Sequence, residues 1–166
     1  MSEVWDTATA ARLRPGGSVL AYARHRYEGA DPVAFTAGTF FEIAHGLRKA
    51  AAAGSAPAAA QLDWLRDQVD SGLVEVLPFE VRAAEVAGAL RAAMPTPPSG
   101  GRRSRDRSKA ESRVAWVLDI QIAATAFAHG YDLVSADEHH RHIAERLAVL
   151  APGAPALSVT APPRFG

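Results

Sequence analysis

The chain has 166 residues, 48% of them apolar, and no cysteine. That length suffices for one domain with a sizeable core, and the missing thiols exclude disulfides, zinc ribbons and cysteine nucleophiles. Eighteen Lys and Arg balance eighteen Asp and Glu, so no global field draws the protein to nucleic acid or to a membrane, and any such attraction must come from local clusters.

The opening M-S-E-V-W-D has neither a basic region nor an apolar core, so no signal peptide is expected. No apolar run approaches the ~20 residues of a membrane span, and a soluble cytoplasmic protein is the expectation. Val4 and Trp5 form a brief first strand ending at Asp6. After Pro15-Gly16-Gly17, Ser18 caps a helix running to about Glu28, with Val19, Tyr22, Ala23 and Arg26 at helical spacing. Asp31-Pro32 marks a turn, and V-A-F-T at 33–36 reads as a buried strand. The next helix opens near Gly38-Thr39 and aligns Phe40, Ile43, Ala44 and Leu47 on one face. Pro57 suits the start of a third helix, with Leu62, Leu65 and Val69 inward and a stop at Gly72. L-V-E-V-L at 73–77 is a third strand, and Val81, Ala84, Val86, Leu90 and Ala93 continue as a helix until Pro95.

The Pro-, Gly-, Ser- and Arg-rich stretch at about 95–110 cannot pack a core and reads as a flexible basic loop inside one domain. Beyond it, W-V-L-D-I-Q-I-A-A-T-A-F-A-H-G-Y-D-L-V-S-A-D predicts a helix with Asp119 near its start, a stop at Gly130, and a short strand delivering Asp137. A helix holding Ala144 and Leu147 and a strand at 156–160 close the chain. Strands and helices alternate throughout, which predicts a single three-layer α/β/α domain with a mainly parallel sheet.

In such a sheet, sites form at the carboxyl ends of the strands. Asp6 and Asp137 follow strands, while Glu42 and Asp119 fall in the first turns of helices, which begin at the rim where their preceding strands end. Four carboxylates from distant parts of the chain therefore converge on one edge, where mutual repulsion calls for a cation. Carboxylates without cysteine favour a hard ion such as Mg²⁺ or Mn²⁺. Each acid also has a purely structural explanation. Thr39-x-x-Glu42 fits a capping box, Asp137 fits a helix cap, Asp119 suits a helix N-terminus, and Asp6 suits a turn.

The stretch A-G-T-F-F-E-I-A-H-G-L-R-K-A resembles the second motif of PIN-domain nucleases, especially VapC-type toxins of bacterial toxin–antitoxin pairs. L-D-I-Q-I-A-A-T-A-F-A-H-G-Y-D-L-V-S-A-D resembles the D-x-x-I-A-A-x-A-x-x-x-G-x-x-L-V-T-x-N/D stretch of that family, and V-W-D-T resembles its opening D-T. The matches come in family order over almost the whole chain. The resemblance implies that Asp6, Glu42, Asp119 and Asp137 are the metal-binding catalytic acids and that Thr7 supports the first of them. It implies Mg²⁺- or Mn²⁺-dependent hydrolysis of RNA phosphodiesters, a homodimer, and a small antitoxin partner. Thr7 is followed by Ala8, where relatives often carry Ser or Asn, and the loop at 101–109 is longer than in compact members.

Arg102, Arg103, Arg105 and Arg107 could steer an RNA backbone toward the acids or simply be a solvated loop. His139, His140 and His142 read as exposed helix histidines, because adjacent helical residues diverge by about 100°. Glu42-x-x-His45 occurs once, so a di-iron carboxylate site, which needs two copies, is rejected. Trp5, Trp64 and Trp116 read as packing residues. Two other functions stay open at this point: a catalytically silent α/β partner-binding domain, and a non-toxin nuclease of RNA processing.

Overall fold

The computed structural model describes residues 2–98 and 109–164. Five short strands form one parallel sheet: β1 (Glu3–Trp5), β2 (Val33–Thr36), β3 (Val74–Leu77), β4 (Asp132–Val134) and β5 (Val159–Thr160), in the order β3-β2-β1-β4-β5. Parallel strands need crossovers, and helices supply them: α1 (Thr7–Ala10), α2 (Ser18–Glu28), α3 (Ala37–Ala52), α4 (Ala56–Asp70), α5 (Val81–Ala93), α6 (Lys109–His129) and α7 (Glu138–Leu150). No helix among the described residues is long and apolar enough to cross a membrane.

The register explains the layering. Val4 lies opposite Ala34 and Leu133, and Trp5 lies opposite Phe35 and Val134. Side chains alternate between faces along a strand. Val4, Ala34 and Leu133 therefore pack with Leu90 of α5, Ile120 and Ala123 of α6 and Ile143 of α7. Trp5, Phe35 and Val134 pack on the other face with Val19 and Ala23 of α2, Ile43 of α3 and Leu65 of α4. The sheet is covered on both sides, which is why its central strands read as unbroken apolar runs.

Several boundaries differ from the sequence expectation, each for a local reason. The polar start of β1 is answered by side chains: Glu3 accepts hydrogen bonds from Arg26 (2.9 Å), Tyr22 (3.0 Å) and the Trp5 indole (3.3 Å). Helix α3 opens at Ala37 because Thr36, the last residue of β2, is its cap and accepts from the Thr39 N–H at 3.0 Å. On α5 the buried face is Ala83, Ala87 and Leu90, while Val81 is exposed. The last strand is only Val159–Thr160.

The largest departure is α6, which spans 21 residues and begins well before Trp116. Asp119 therefore sits at its middle and not in its first turn. Ten residues separate Asp119 from His129, about 15 Å of helical rise. A four-residue strand spans about 13 Å, so Asp119 comes level with the strands' carboxyl ends while the first half of α6 overhangs them. The helix stops at Gly130, whose φ of +73° permits the left-handed turn. There Gly130 N–H donates to Phe127 O (3.2 Å) and Tyr131 N–H to Ala126 O (3.0 Å), closing the helix end.

Candidate functional site

The strand order reverses beside β1. The chain leaves β1 toward β2 and β3, then crosses back to place β4 on the other side. Loops at such a switch point diverge and leave a crevice above the carboxyl ends of the strands. A cavity of about 480 Å³ opens there, lined by Asp6, Thr7, Glu42, Trp116, Asp119, Asp137, His139 and His140 among others. All four acids singled out from the sequence thus face one space.

Asp6 directly follows β1. Its backbone is extended (φ −66°, ψ 169°), and its carboxylate caps α1 by accepting from the Thr9 N–H at 2.7 Å. Only 3% of the residue is exposed. Its backbone N–H donates to Val134 O at 3.1 Å, which fastens the ends of β1 and β4 together. The second carboxylate oxygen accepts from the Ser135 hydroxyl at 2.6 Å. Ser135, fully buried just past β4, also accepts from the Asp137 N–H at 3.0 Å and lies 2.8 Å from Nδ1 of His140. One hydroxyl therefore ties Asp6, the Asp137 backbone and His140 into a single unit.

Asp137 caps α7 by accepting from the His139 N–H at 3.0 Å. The capping explanation and the placement at the cavity hold together, because a residue that caps a helix at this rim also faces the crevice. For Glu42 the capping box fails: Thr36 does the capping, and Glu42 instead accepts a hydrogen bond from the Thr7 hydroxyl. Thr7 therefore supports the second acid, while Asp6 takes its support from Thr9 and Ser135.

Asp119, with 21% of its side chain exposed, points its two oxygens at two histidines. His139 Nδ1 lies 3.3 Å from Oδ2, and His140 Nε2 lies 3.9 Å from Oδ1. His139 also stands 3.8 Å from Asp137 Oδ1 and packs edge-on against the Trp116 ring at 5.5 Å. His140 is 2% exposed.

These positions correct the expectation of exposed histidines. Divergence by 100° separates two side chains on α7, yet the paired oxygens of one carboxylate meet both. Only His142 keeps the exposed position expected of it, 3.6 Å from Glu145. The sequence signal was present as adjacent histidines one turn after a rim acid, but burial at that turn depends on α6 overhanging it. Ser135 fell on the hydroxyl position of the L-V-T-x-N/D motif, but nothing in the sequence gave it the hydrogen bonds it makes here. Trp5 and Trp116 are buried as expected, and the Trp116 indole donates to Met94 O at 2.9 Å. The arginines Arg102, Arg103, Arg105 and Arg107 lie outside the described residues, as does most of the loop expected at about 95–110.

Chemically, the cavity offers carboxylate oxygens, hydroxyls and imidazole nitrogens. That donor set suits a divalent cation of hard or borderline character. Among the described residues, no three acid or histidine side chains stand arranged to hold an ion without adjustment. Among the described residues, one buried side-chain nitrogen or oxygen has no hydrogen-bond partner, Nε2 of His140, and it belongs to the cavity wall. Donor chemistry and this orphaned nitrogen fit a metal-binding role, with side-chain rotation needed to complete the shell.

In open parallel sheets ligands bind in the crevice at the switch point, which is where these acids gather. The PIN-domain family model matches residues 5–146, so the chain belongs to the PIN-domain family, a family of nucleases. No curated protein matches the sequence. Solved structures share the fold at low identity. A DNA-bound VapBC from Salmonella typhimurium is 15% identical with a TM-score of 0.55, covering 97% of this chain and 98% of that one. FitAcB from Neisseria gonorrhoeae is 18% identical with a TM-score of 0.55, covering 96% and 97%. VapBC-5 from Mycobacterium tuberculosis, a member of the VapBC family of toxin–antitoxin systems, is 20% identical with a TM-score of 0.52, covering 96% and 98%.

Proposed function

We propose that the protein is a metal-dependent endoribonuclease and the toxin of a type II toxin–antitoxin pair. The observation that carries the nuclease reading is the convergence of Asp6, Glu42, Asp119 and Asp137 on one cavity in a PIN-domain chain. These four side chains would hold Mg²⁺ or Mn²⁺. When bound, such an ion lowers the pKa of a coordinated water and offsets charge on the scissile phosphate. The chain's own contribution is positioning. Ser135 and Thr9 fix the Asp6 carboxylate, Thr7 fixes Glu42, and the α7 N-terminus fixes Asp137. Water adds to phosphorus while the phosphorus–oxygen ester bond breaks, and the released sugar oxygen takes up a proton.

The toxin role is supported by structural neighbours that are toxin–antitoxin complexes. The corresponding proposal is a cytoplasmic protein that forms a homodimer and is held by a small antitoxin, with the arginines at 102–107 guiding RNA. One observation favours the other reading, a catalytically silent partner-binding domain: the acids do not form a ready-made three-ligand cluster.

The deciding experiment is cleavage of total RNA with Mg²⁺, Mn²⁺ or chelator, comparing wild type with Asp119→Asn. Cleavage that needs the ion and falls by about two orders of magnitude in the variant, with an unchanged circular dichroism spectrum, supports the nuclease. Equal cleavage by both proteins overturns it. Co-purification of a small DNA-binding protein with the chain distinguishes a toxin from an RNA-processing nuclease.

A further inference from the structure

The unpartnered Nε2 of His140 has a consequence for which ions the site takes. Ser135 has one proton to donate and donates it to Asp6, since a carboxylate only accepts. At 2.8 Å from the same hydroxyl, His140 must then be the donor, so its proton sits on Nδ1. In the neutral ring that assignment leaves a lone pair on Nε2. The nitrogen is buried, makes no hydrogen bond, lines the cavity, and faces Asp119 Oδ1 at 3.9 Å. This separation is too long for a hydrogen bond, yet one ion with bonds of about 2.0–2.2 Å spans it. Metal-ligating histidines characteristically give their other ring N–H to an oxygen that fixes the tautomer. Ser135, itself locked on Asp6, is such an oxygen.

We infer that His140 Nε2 is a nitrogen ligand that joins Asp119 on the metal and turns a carboxylate site into a mixed nitrogen–oxygen site selective for divalent first-row transition ions over Mg²⁺. The inference rests on the metal-dependent reading above and deepens it. Mg²⁺ prefers an all-oxygen shell with several waters, whereas imidazole raises affinity along the transition series. Asp119 is then the acid whose oxygen and neighbouring nitrogen together define the ion's position.

The test uses the full chain with Mn²⁺ as the probe. Electron spin-echo measurements on bound Mn²⁺ read directly coordinated ¹⁴N, and titration reads affinity, with Mg²⁺ as competitor. His140→Asn retains an amide N–H where Nδ1 stood and so keeps donation to Ser135, but it lacks the distal nitrogen. Wild type should show nitrogen coupling and bind Mn²⁺ about tenfold or more tightly than Mg²⁺. The variant should lose the coupling and that margin while melting at a similar temperature. [¹⁵N]Histidine labelling of wild type checks the coupling without any variant. Mn²⁺ bound without nitrogen coupling, or coupling that survives in His140→Asn and vanishes in His139→Asn, overturns the assignment and leaves metal dependence standing. Failure of wild type to bind either ion overturns the inference together with the metal-dependent reading beneath it.

Discussion

Ser135 shows how one small side chain can organise a site. Its hydroxyl donates to Asp6 at 2.6 Å and accepts from the Asp137 N–H at 3.0 Å and from His140 at 2.8 Å. All of this happens where no solvent reaches the residue. Ser135→Ala removes one oxygen and strands three polar groups. The expected cost is about 1–3 kcal/mol in folding stability, read from the urea midpoint. The expected loss in RNA cleavage is about 10–100-fold, because the partners of candidate metal-binding groups lose their orientation. Unchanged cleavage with reduced stability would confine Ser135 to a structural role. Thr7 offers a contrast, since its hydroxyl serves the half-buried Glu42 and water can replace it. Thr7→Val should therefore leave the stability read from the urea midpoint within about 0.5 kcal/mol of wild type.

At the scale of elements, α6 decides where the site can be. Its apolar pattern from Trp116 onward was legible, as was its stop at Gly130, but its first turns were not. K-A-E-S-R-V-A after an arginine run carries no inward apolar stripe. The consequence was a misplaced Asp119: at mid-helix it is beyond the reach of the N-terminal dipole, which fades within a turn. What brings Asp119 to the rim is the helix's overhang, set by packing against α5 and not by local sequence. The capping-box alternative for Glu42 fails for the opposite reason. Thr39 looked like a cap because a hydroxyl three residues before an acid fits the pattern, yet the true cap, Thr36, belongs to the preceding strand. At the other end of α6, Gly130 holds φ +73° with nothing within 4 Å of the space a Cβ would fill. Gly130→Ala should cost about 1–2 kcal/mol for conformational reasons alone. Because this turn lies at the end of the sheet opposite the acids, RNA cleavage at a temperature where the variant is folded should not change. A larger loss of stability would point to a steric clash that the open space around the turn does not contain.

For the molecule as a whole, the alternation of strands and helices was readable because parallel strands buried on both faces leave unbroken apolar runs. The order β3-β2-β1-β4-β5 was not, since any strand order satisfies that pattern; bringing the acids together depends on the reversal beside β1. The same sheet divides the interior. Val19 on α2 belongs to the cluster under Trp5 and Phe35, and Ile143 on α7 to the cluster over Val4 and Leu133. Truncating either removes methyl groups from a packed interior: Val19→Ala should cost about 1–2 kcal/mol and Ile143→Val about 1 kcal/mol. With a sheet between them and no shared neighbours in either cluster, the double variant should lose the sum of the two within about 0.5 kcal/mol. Denaturant titrations of the four proteins measure this, provided all share one m-value. A coupling above about 1 kcal/mol would mean that strain crosses the sheet, and the two faces would then have to be treated as one core.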